Sequence, residues 1–169
     1  MNLFFCFNCI KEKIIPSECN LNKIKLLEII DIIEYQYNDS RFNIYSLSDK
    51  IGSTRKNLWD YIYSHIKIPL FYLVENKRIE NALSLFSENN YSLSEIAYSS
   101  GFNPINMRNV FKRRFGASPT EFREQILRNE KKEEIIQSII LEIWNTEHYR
   151  YKTKLKAISL EKILNNLTR

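Results

Sequence analysis

Residues 91–123 read YSLSEIAYSSGFNPINMRNVFKRRFGASPTEFR, and three helix starts can be placed in them. Ser92 and Glu95 have the S-x-x-E spacing of a capping box, in which hydroxyl and carboxylate each accept a backbone N–H that the helix leaves unpaired. Leu93, Ile96 and Ala97 form the apolar side of that helix, and Gly101 stands where it can end in the left-handed conformation. Phe102 follows as an apolar plug. Asn103 and Pro104 read as N-cap and first helical residue of a second helix. Met107, Phe111 and Phe115 recur along it every four residues, with Val110 beside them, as one apolar seam. Ile105, Asn106, Arg108, Asn109, Lys112 and Arg113 project elsewhere, and Gly116 stops the helix. Ser118-Pro119-Thr120-Glu121 is a further capping box that opens a third helix. A short helix, a tight glycine turn and a helix with a basic outer face spell a helix-turn-helix.

Upstream, Phe42 to Ile66 repeats the pattern at a constant shift of 49 positions. Asn43 matches Ser92, Ile44 matches Leu93, Leu47 matches Ile96, Ser48 matches Ala97 and Gly52 matches Gly101. Thr54 caps the next helix, whose inner side is Leu58, Tyr61 and Ile62, with His65 also placed inward. Lys56, Asn57, Trp59, Asp60 and Tyr63 point outward, with Arg55 flanking. Between the copies, Pro69 to Glu88 reads as one long helix with proline at its first turn.

IAYSSGFNP followed by FKRRFGASPTEFR resembles the second motif of the AraC/XylS family of bacterial transcription regulators. Ile96, Ala97, Gly101, Phe102, Phe111, Lys112, Arg113, Gly116, Ser118, Pro119, Phe122 and Arg123 stand where that pattern places them. Arg78, Ala82, Leu85 and Phe86 resemble the family's linker-helix pattern, and the resemblance covers about half the chain. It implies an all-α fold of two helix-turn-helix subdomains joined by a long linker helix, followed here by a C-terminal helical extension. It further implies sequence-specific binding of double-stranded DNA across adjacent major-groove segments, activation through RNA polymerase, and no catalytic residue, metal or cofactor. A connector of some twenty residues, roughly 30 Å at ~1.5 Å per residue, suits grooves that recur about every 34 Å.

Carried onto this sequence, the DNA-binding set is Thr54, Arg55, Lys56, Trp59, Asp60 and Tyr63 in the first copy. In the second it is Asn103, Ile105, Asn106, Arg108, Asn109, Lys112 and Arg113. Lys56 suits guanine, Asn106 or Asn109 adenine, and Trp59 and Ile105 thymine methyls. Lys112 and Arg113 suit phosphate. Trp59 reads equally as a core or partner-facing aromatic, and Arg114, at the edge of the seam, either reaches a phosphate or shields the core. The first copy departs from the family near Lys67, where a glycine is usual, and at Asp60, where arginine is common; in the second, relatives usually have one more residue between the turn glycine and the Phe-Lys pair. A one-residue loss rotates one part of a helix by about 100° against the other, which is expected to move Ile105 and Asn106 off the reading positions.

Composition sets the outer bounds. At 169 residues, 44% hydrophobic and 27% charged, the chain holds one large domain or two small ones with a real core. The formal charge of +5 suits a polyanion, and its distribution says more. Residues 1–40 carry 4 basic against 6 acidic side chains, residues 41–125 carry 12 against 8, and residues 126–169 carry 9 against 6. No apolar run is long enough to span a membrane, so the expected location is the cytoplasm, on the nucleoid. His65 and His148 lie far apart, and no phosphate loop or nucleophile elbow appears, which argues against an enzyme.

The expected organisation is an arm at 1–20, a first helix-turn-helix subdomain at 21–68, the linker helix at 69–90, the second subdomain at 91–127 and the extension at 128–169. Within the arm, Cys6, Cys9 and Cys19 invite a metal reading but lack a fourth ligand, and inert thiols are the plainer account. Leu21 to Asn38 reads as a helix with Leu26, Ile29, Ile30, Ile33 and Tyr37 on one stripe. Leu127 to Glu134 reads as a solvated helical continuation. Beyond it, Ile135, Ile136, Ile139, Ile140, Ile143 and Trp144 form one stripe, and Leu155, Ile158, Ile163, Leu164 and Leu167 another. These helices either pack on the module as a hairpin or form a homodimer surface. No segment before Phe42 is long enough for a sensor barrel, so the chain resembles the small sensorless members of the family. A protein-binding antagonist of another regulator is the alternative function.

Overall fold

Every capping signal listed above is realised in the computed structural model, which describes residues 21–88 and 90–145 together with residues 158 and 163. Eight α-helices and no strand occur among the described residues: α1 (Leu21–Gln36), α2 (Ile44–Ile51), α3 (Arg55–Ile66), α4 (Leu70–Phe86), α5 (Leu93–Ser99), α6 (Pro104–Phe115), α7 (Pro119–Leu127) and α8 (Lys132–Ile143). Ser92 and Ser118 close full capping boxes with Glu95 and Glu121, and Asn43 closes one with Ser46. Thr54 Oγ1 accepts the Asn57 N–H and Asn103 Oδ1 the Asn106 N–H, which fixes where the two long helices of the motifs begin.

The internal repeat extends further than its side chains suggest. Gly52 and Gly101 both have left-handed backbone, at φ 64° and 76°. α3 and α6 are each 12 residues long and start from caps at the same shift of 49. Both end in the left-handed region, α6 at Gly116 (φ 73°) and α3 at Lys67 (φ 65°), a lysine where its twin has glycine. A Cβ in this conformation is strained by roughly 1–2 kcal/mol. Lys67 offsets part of this by donating from Nζ to the Ser64 carbonyl, 2.7 Å away.

α4 is the spine. It touches α3 on one side of the repeat and α5, α7 and α8 on the other. Leu70, Leu73 and Val74 are buried at its start and Ile79, Ala82, Leu83 and Phe86 at its end. Phe86 enters an aromatic cluster with Phe111, Phe115 and Phe122, whose adjacent ring centroids lie 4.8–6.2 Å apart. The first motif is closed by Leu26, Ile29, Ile30 and Ile33 of α1 and by Leu47, Leu58 and Ile62.

Four boundaries differ from the sequence expectation. Pro69 is the cap of α4 rather than a residue within it, and α4 ends at Phe86. α1 stops at Gln36. The helical continuation expected over 127–134 is interrupted: α7 ends at Leu127, Asn129 Oδ1 accepts the Lys131 N–H, and α8 starts afresh at Lys132. That break lets α8 fold back. Its stripe of five isoleucines and the fully enclosed Trp144 are buried within the chain. The Trp144 indole N–H donates to Glu80 of α4 at 2.9 Å and Asn76 of α4 donates to the Ile143 carbonyl at 2.8 Å. α8 thus packs within the chain, and its apolar stripe is covered there. Of the second stripe, Ile158 is buried and Ile163 packs on the core, while Leu155, Leu164 and Leu167 lie outside the described residues, as do Cys6, Cys9 and Cys19.

Gly101 sits where three parts meet. A Cβ there would stand 2.2 Å from the Tyr37 carbonyl oxygen and 2.9 Å from Arg78 Nε, whereas one at Gly52 would meet nothing within 4 Å. Gly52→Ala is therefore expected to cost only the left-handed strain, about 1–2 kcal/mol. Gly101→Ala must also push apart α1, α4 and the second turn, and it is expected to lower the melting temperature at least twice as far. Equal shifts in thermal melts of the two variants would contradict this geometry.

Candidate nucleic-acid interface

The outer faces of α3 and α6 carry the residues that sequence assigned to DNA. On α3, Arg55, Lys56, Trp59 and Asp60 are exposed and Tyr63 is half-buried, with Thr54 exposed as the cap. Trp59 is thus not a core residue; its indole stacks on Tyr63, with centroids 5.1 Å apart and 13° between planes. Arg55 lies over the Tyr45 ring at 4.4 Å, which holds its guanidinium at the entry to the helix. On α6, Asn103, Asn106, Arg108, Asn109 and Lys112 are exposed, and Ile105 is 72% exposed, an apolar side chain displayed to solvent.

Because the two helices start and end in step, the faces can be compared position by position. Ile105 stands where Lys56 does, Arg108 where Trp59 does, Asn109 where Asp60 does and Lys112 where Tyr63 does. The residue missing relative to relatives leaves α6 with the length of its own twin. Within the chain, the first turns of α3 and α6 therefore start in step, with Ile105 and Asn106 at the positions of Lys56 and Asn57.

Arg113 and Arg114 behave differently from Lys112. Arg114 is 2% exposed and neither snorkels outward nor merely shields the core: it hydrogen-bonds Asn76 Oδ1 at 3.1 Å and Glu75 Oε1 at 3.5 Å. Arg113 keeps about half its side chain exposed, yet its Nη2 donates to Glu75 Oε2 and its guanidinium lies 5.9 Å from the Phe71 ring centre. Glu75 itself is 4% exposed. One buried carboxylate on the spine therefore holds two consecutive arginines of the reading helix.

Between the reading helices lies a cleft of about 480 Å³. Trp59 lines it from α3, Asn106, Asn109, Val110 and Arg113 from α6, and Phe71 and Glu75 from α4. Arg78 closes one end, donating from Nε to the Tyr37 carbonyl at 2.7 Å and from Nη2 to the Asp39 and Phe42 carbonyls at 2.9 and 3.2 Å. Burial pushes the Arg78 pKa below the usual guanidinium value, with Asp39 and Glu75 opposing the shift. At the far edge of α6, Glu121 is held below the usual carboxylate range by the Ser118 backbone N–H and hydroxyl, and then by the charges of Lys112 and Arg108. Arg123 ties α7 to the loop before α5, donating to the carbonyls of Tyr91 and Glu88 at 2.7 and 2.6 Å.

Glu75, Asn76 and Arg78 escaped the sequence reading as working residues. One signal was available: Glu75, Ile79, Ala82, Leu83 and Phe86 fall on one helical seam, and an acid on such a seam needs a buried partner. His65 was placed inward and is in fact exposed, its ring packed beside Tyr61 with Nδ1 2.8 Å from the Tyr61 carbonyl. Among the described residues no group of histidine, cysteine, aspartate or glutamate could hold a metal ion, and no helix is long and apolar enough to cross a membrane.

Comparison with known proteins places this geometry. A family model described as a helix-turn-helix domain matches residues 47–125. The C-terminal domain of the two-component response regulator yesN from Fusobacterium nucleatum is 30% identical, covers 56% of this chain and 93% of its own, and superposes with a TM-score of 0.53. The DNA-binding domain of AdpA, a global transcriptional factor solved in complex with a target DNA, is 22% identical over 60% of this chain and 91% of its own, with a TM-score of 0.54. Histidine kinase P4 of Formosa agariphila is 23% identical over 116 residues, 66% of this chain, and the chain spans 8% of that relative's length.

Lys112 and Arg114 are two residues apart on one helix and should differ sharply on truncation. Arg114→Ala leaves a buried carboxylate with half its partners and is expected to cost about 3–5 kcal/mol. Lys112→Ala, at the surface, should stay within about 0.5 kcal/mol of wild type. Denaturant melts of the two variants measure both.

Proposed function

The chain belongs to the AraC-type helix-turn-helix family, and from that premise we propose that it is a sequence-specific transcription regulator that lays α3 and α6 into successive major-groove segments of duplex DNA. The observation that carries this reading is the pair of equal, equally capped helices with polar outer faces, fixed to one buried spine. The 17 residues of α4 span roughly 26 Å at ~1.5 Å per residue, the same order as the ~34 Å between groove faces on one side of a duplex. That AdpA's domain was solved on its target DNA supports the same use of this fold.

Roles follow from side-chain chemistry. Lys56 donates to guanine O6 and N7, Asn106 or Asn109 pairs with the adenine edge, and Trp59 and Ile105 pack on thymine methyls. Thr54 and Asn103 present helix N-termini to phosphates. Arg55, Arg108 and Lys112 neutralise phosphates and release counterions, which supplies affinity without sequence. Asp60 and Tyr63 complete the first face, the acid favouring a cytosine amino group. The protein acts in the cytoplasm as an activator that presents RNA polymerase with a surface fixed relative to its site. No step in this reading calls for catalysis, a metal or a cofactor.

Fluorescence anisotropy on a duplex selected from random sequence is the test. Binding should weaken steeply as salt rises, with a logarithmic slope near −0.9 per phosphate neutralised. A base-by-base scan of the site should show preferences in both halves; Lys56→Ala should flatten one half and Asn106→Ala paired with Asn109→Ala the other. A folded protein with no salt-sensitive binding would instead point to the antagonist that grips another regulator.

A further inference from the structure

The Glu75 carboxylate has two guanidinium partners, one enclosed and one half-exposed. Arg114 is enclosed, hydrogen-bonded to Asn76 as well as to Glu75, and cannot reach the surface without unpacking the helix. Arg113 is half-exposed on the wall of the cleft that it shares with Asn106, Asn109 and, across the gap, Trp59. It sits one residue beyond Lys112 on the reading helix, and rotation of its side chain is enough to turn it from Glu75 to a phosphate strand approaching the cleft. Glu75 would then keep Arg114. The ion pair and the phosphate are alternatives for one cation, and a carboxylate paired within the protein holds that cation before any DNA arrives.

We infer that Glu75 is a positioning residue for DNA recognition: it competes with the phosphate backbone for Arg113 and so weakens sequence-independent grip relative to base readout. The inference rests on the DNA-binding reading above. Its physical consequence is a lower affinity for every sequence alike, because each phosphate neutralised contributes to binding whatever the bases are. An arginine withheld from phosphate leaves the ratio of target to unrelated binding unchanged and raises the share of the target affinity that depends on base edges.

The experiment is a salt titration of wild type, Glu75→Gln, Arg113→Ala and the double variant, each on the selected duplex and on a duplex of unrelated sequence. Glu75→Gln frees Arg113, so binding to the unrelated duplex should tighten several-fold and the salt slope should steepen by about 0.9. The double variant should lose both changes, and Arg113→Ala alone should leave the wild-type slope unaltered. If Arg113→Ala by itself makes the slope shallower by about 0.9, Arg113 already grips phosphate in wild type and the inference fails. It fails equally if a folded Glu75→Gln shows the wild-type slope. Should Glu75→Gln not fold, Glu75→Asp takes its place, since the shorter carboxylate keeps a charge for Arg114 while drawing back from Arg113, and the same steepening is expected. Wild type binding neither duplex would remove the DNA-binding reading itself, a result visible before any variant is compared.

Discussion

The polar side chains of α4 have to be satisfied inside the protein. A helix that joins two DNA-reading units can be an exposed rod, but this one is packed along its length. The polar groups on its buried flanks are matched from several neighbouring elements. Glu75 takes Arg113 and Arg114 from α6, and Asn76 takes Arg114 and the last carbonyl of α8. Arg78 takes three carbonyls between α1 and α2, Glu80 takes Trp144, and Asn81 takes Tyr37 on one side and Ser100 on the other. An unpartnered polar group in such a place costs about 1–3 kcal/mol, more if charged. The arrangement is therefore tolerant of few alternatives.

Bonds of this kind contribute little net stability compared with apolar packing of the same volume. What they fix is geometry. The isoleucines of α8 and α1 supply driving force, and many relative rotations of the helices would bury them nearly as well. The directional bonds to α4 select one rotation, and with it the angle and spacing between α3 and α6. α8 takes part in that selection, because Asn76 and Trp144 lock it to the spine that joins the two motifs.

What could be read in the sequence was local. Ser92 with Glu95, Ser118 with Glu121 and Asn103 with Pro104 act within one helical turn, so spacing alone reveals them, and the glycines announce left-handed turns by their identity. Assigning faces by periodicity worked for Phe111 and Met107, whose neighbours on the seam are all apolar. It failed where a partner far along the chain decides the outcome. Arg114 meets residues 38 and 39 positions away, and nothing near it in sequence distinguishes it from Arg113. His65 was placed inward by counting from Leu58 and Ile62, but the α3 seam ends on Ile66, which takes the buried place. The break before α8 was missed for the same reason: Arg128 to Lys131 is a good helical composition, and only the fold-back of Trp144 onto Glu80 requires the chain to turn there.

The two reading helices share caps, length and terminal backbone, yet their faces have parted. Lys56 is matched by Ile105, Trp59 by Arg108, Asp60 by Asn109 and Tyr63 by Lys112. An equal scaffold with equal faces would suit a direct repeat read the same way twice. With these faces, the first helix offers an acid, a stacked aromatic pair and one lysine, while the second offers amides and cations. If the faces read bases as proposed, the two half-sites differ, and one chain binds such a site in one orientation.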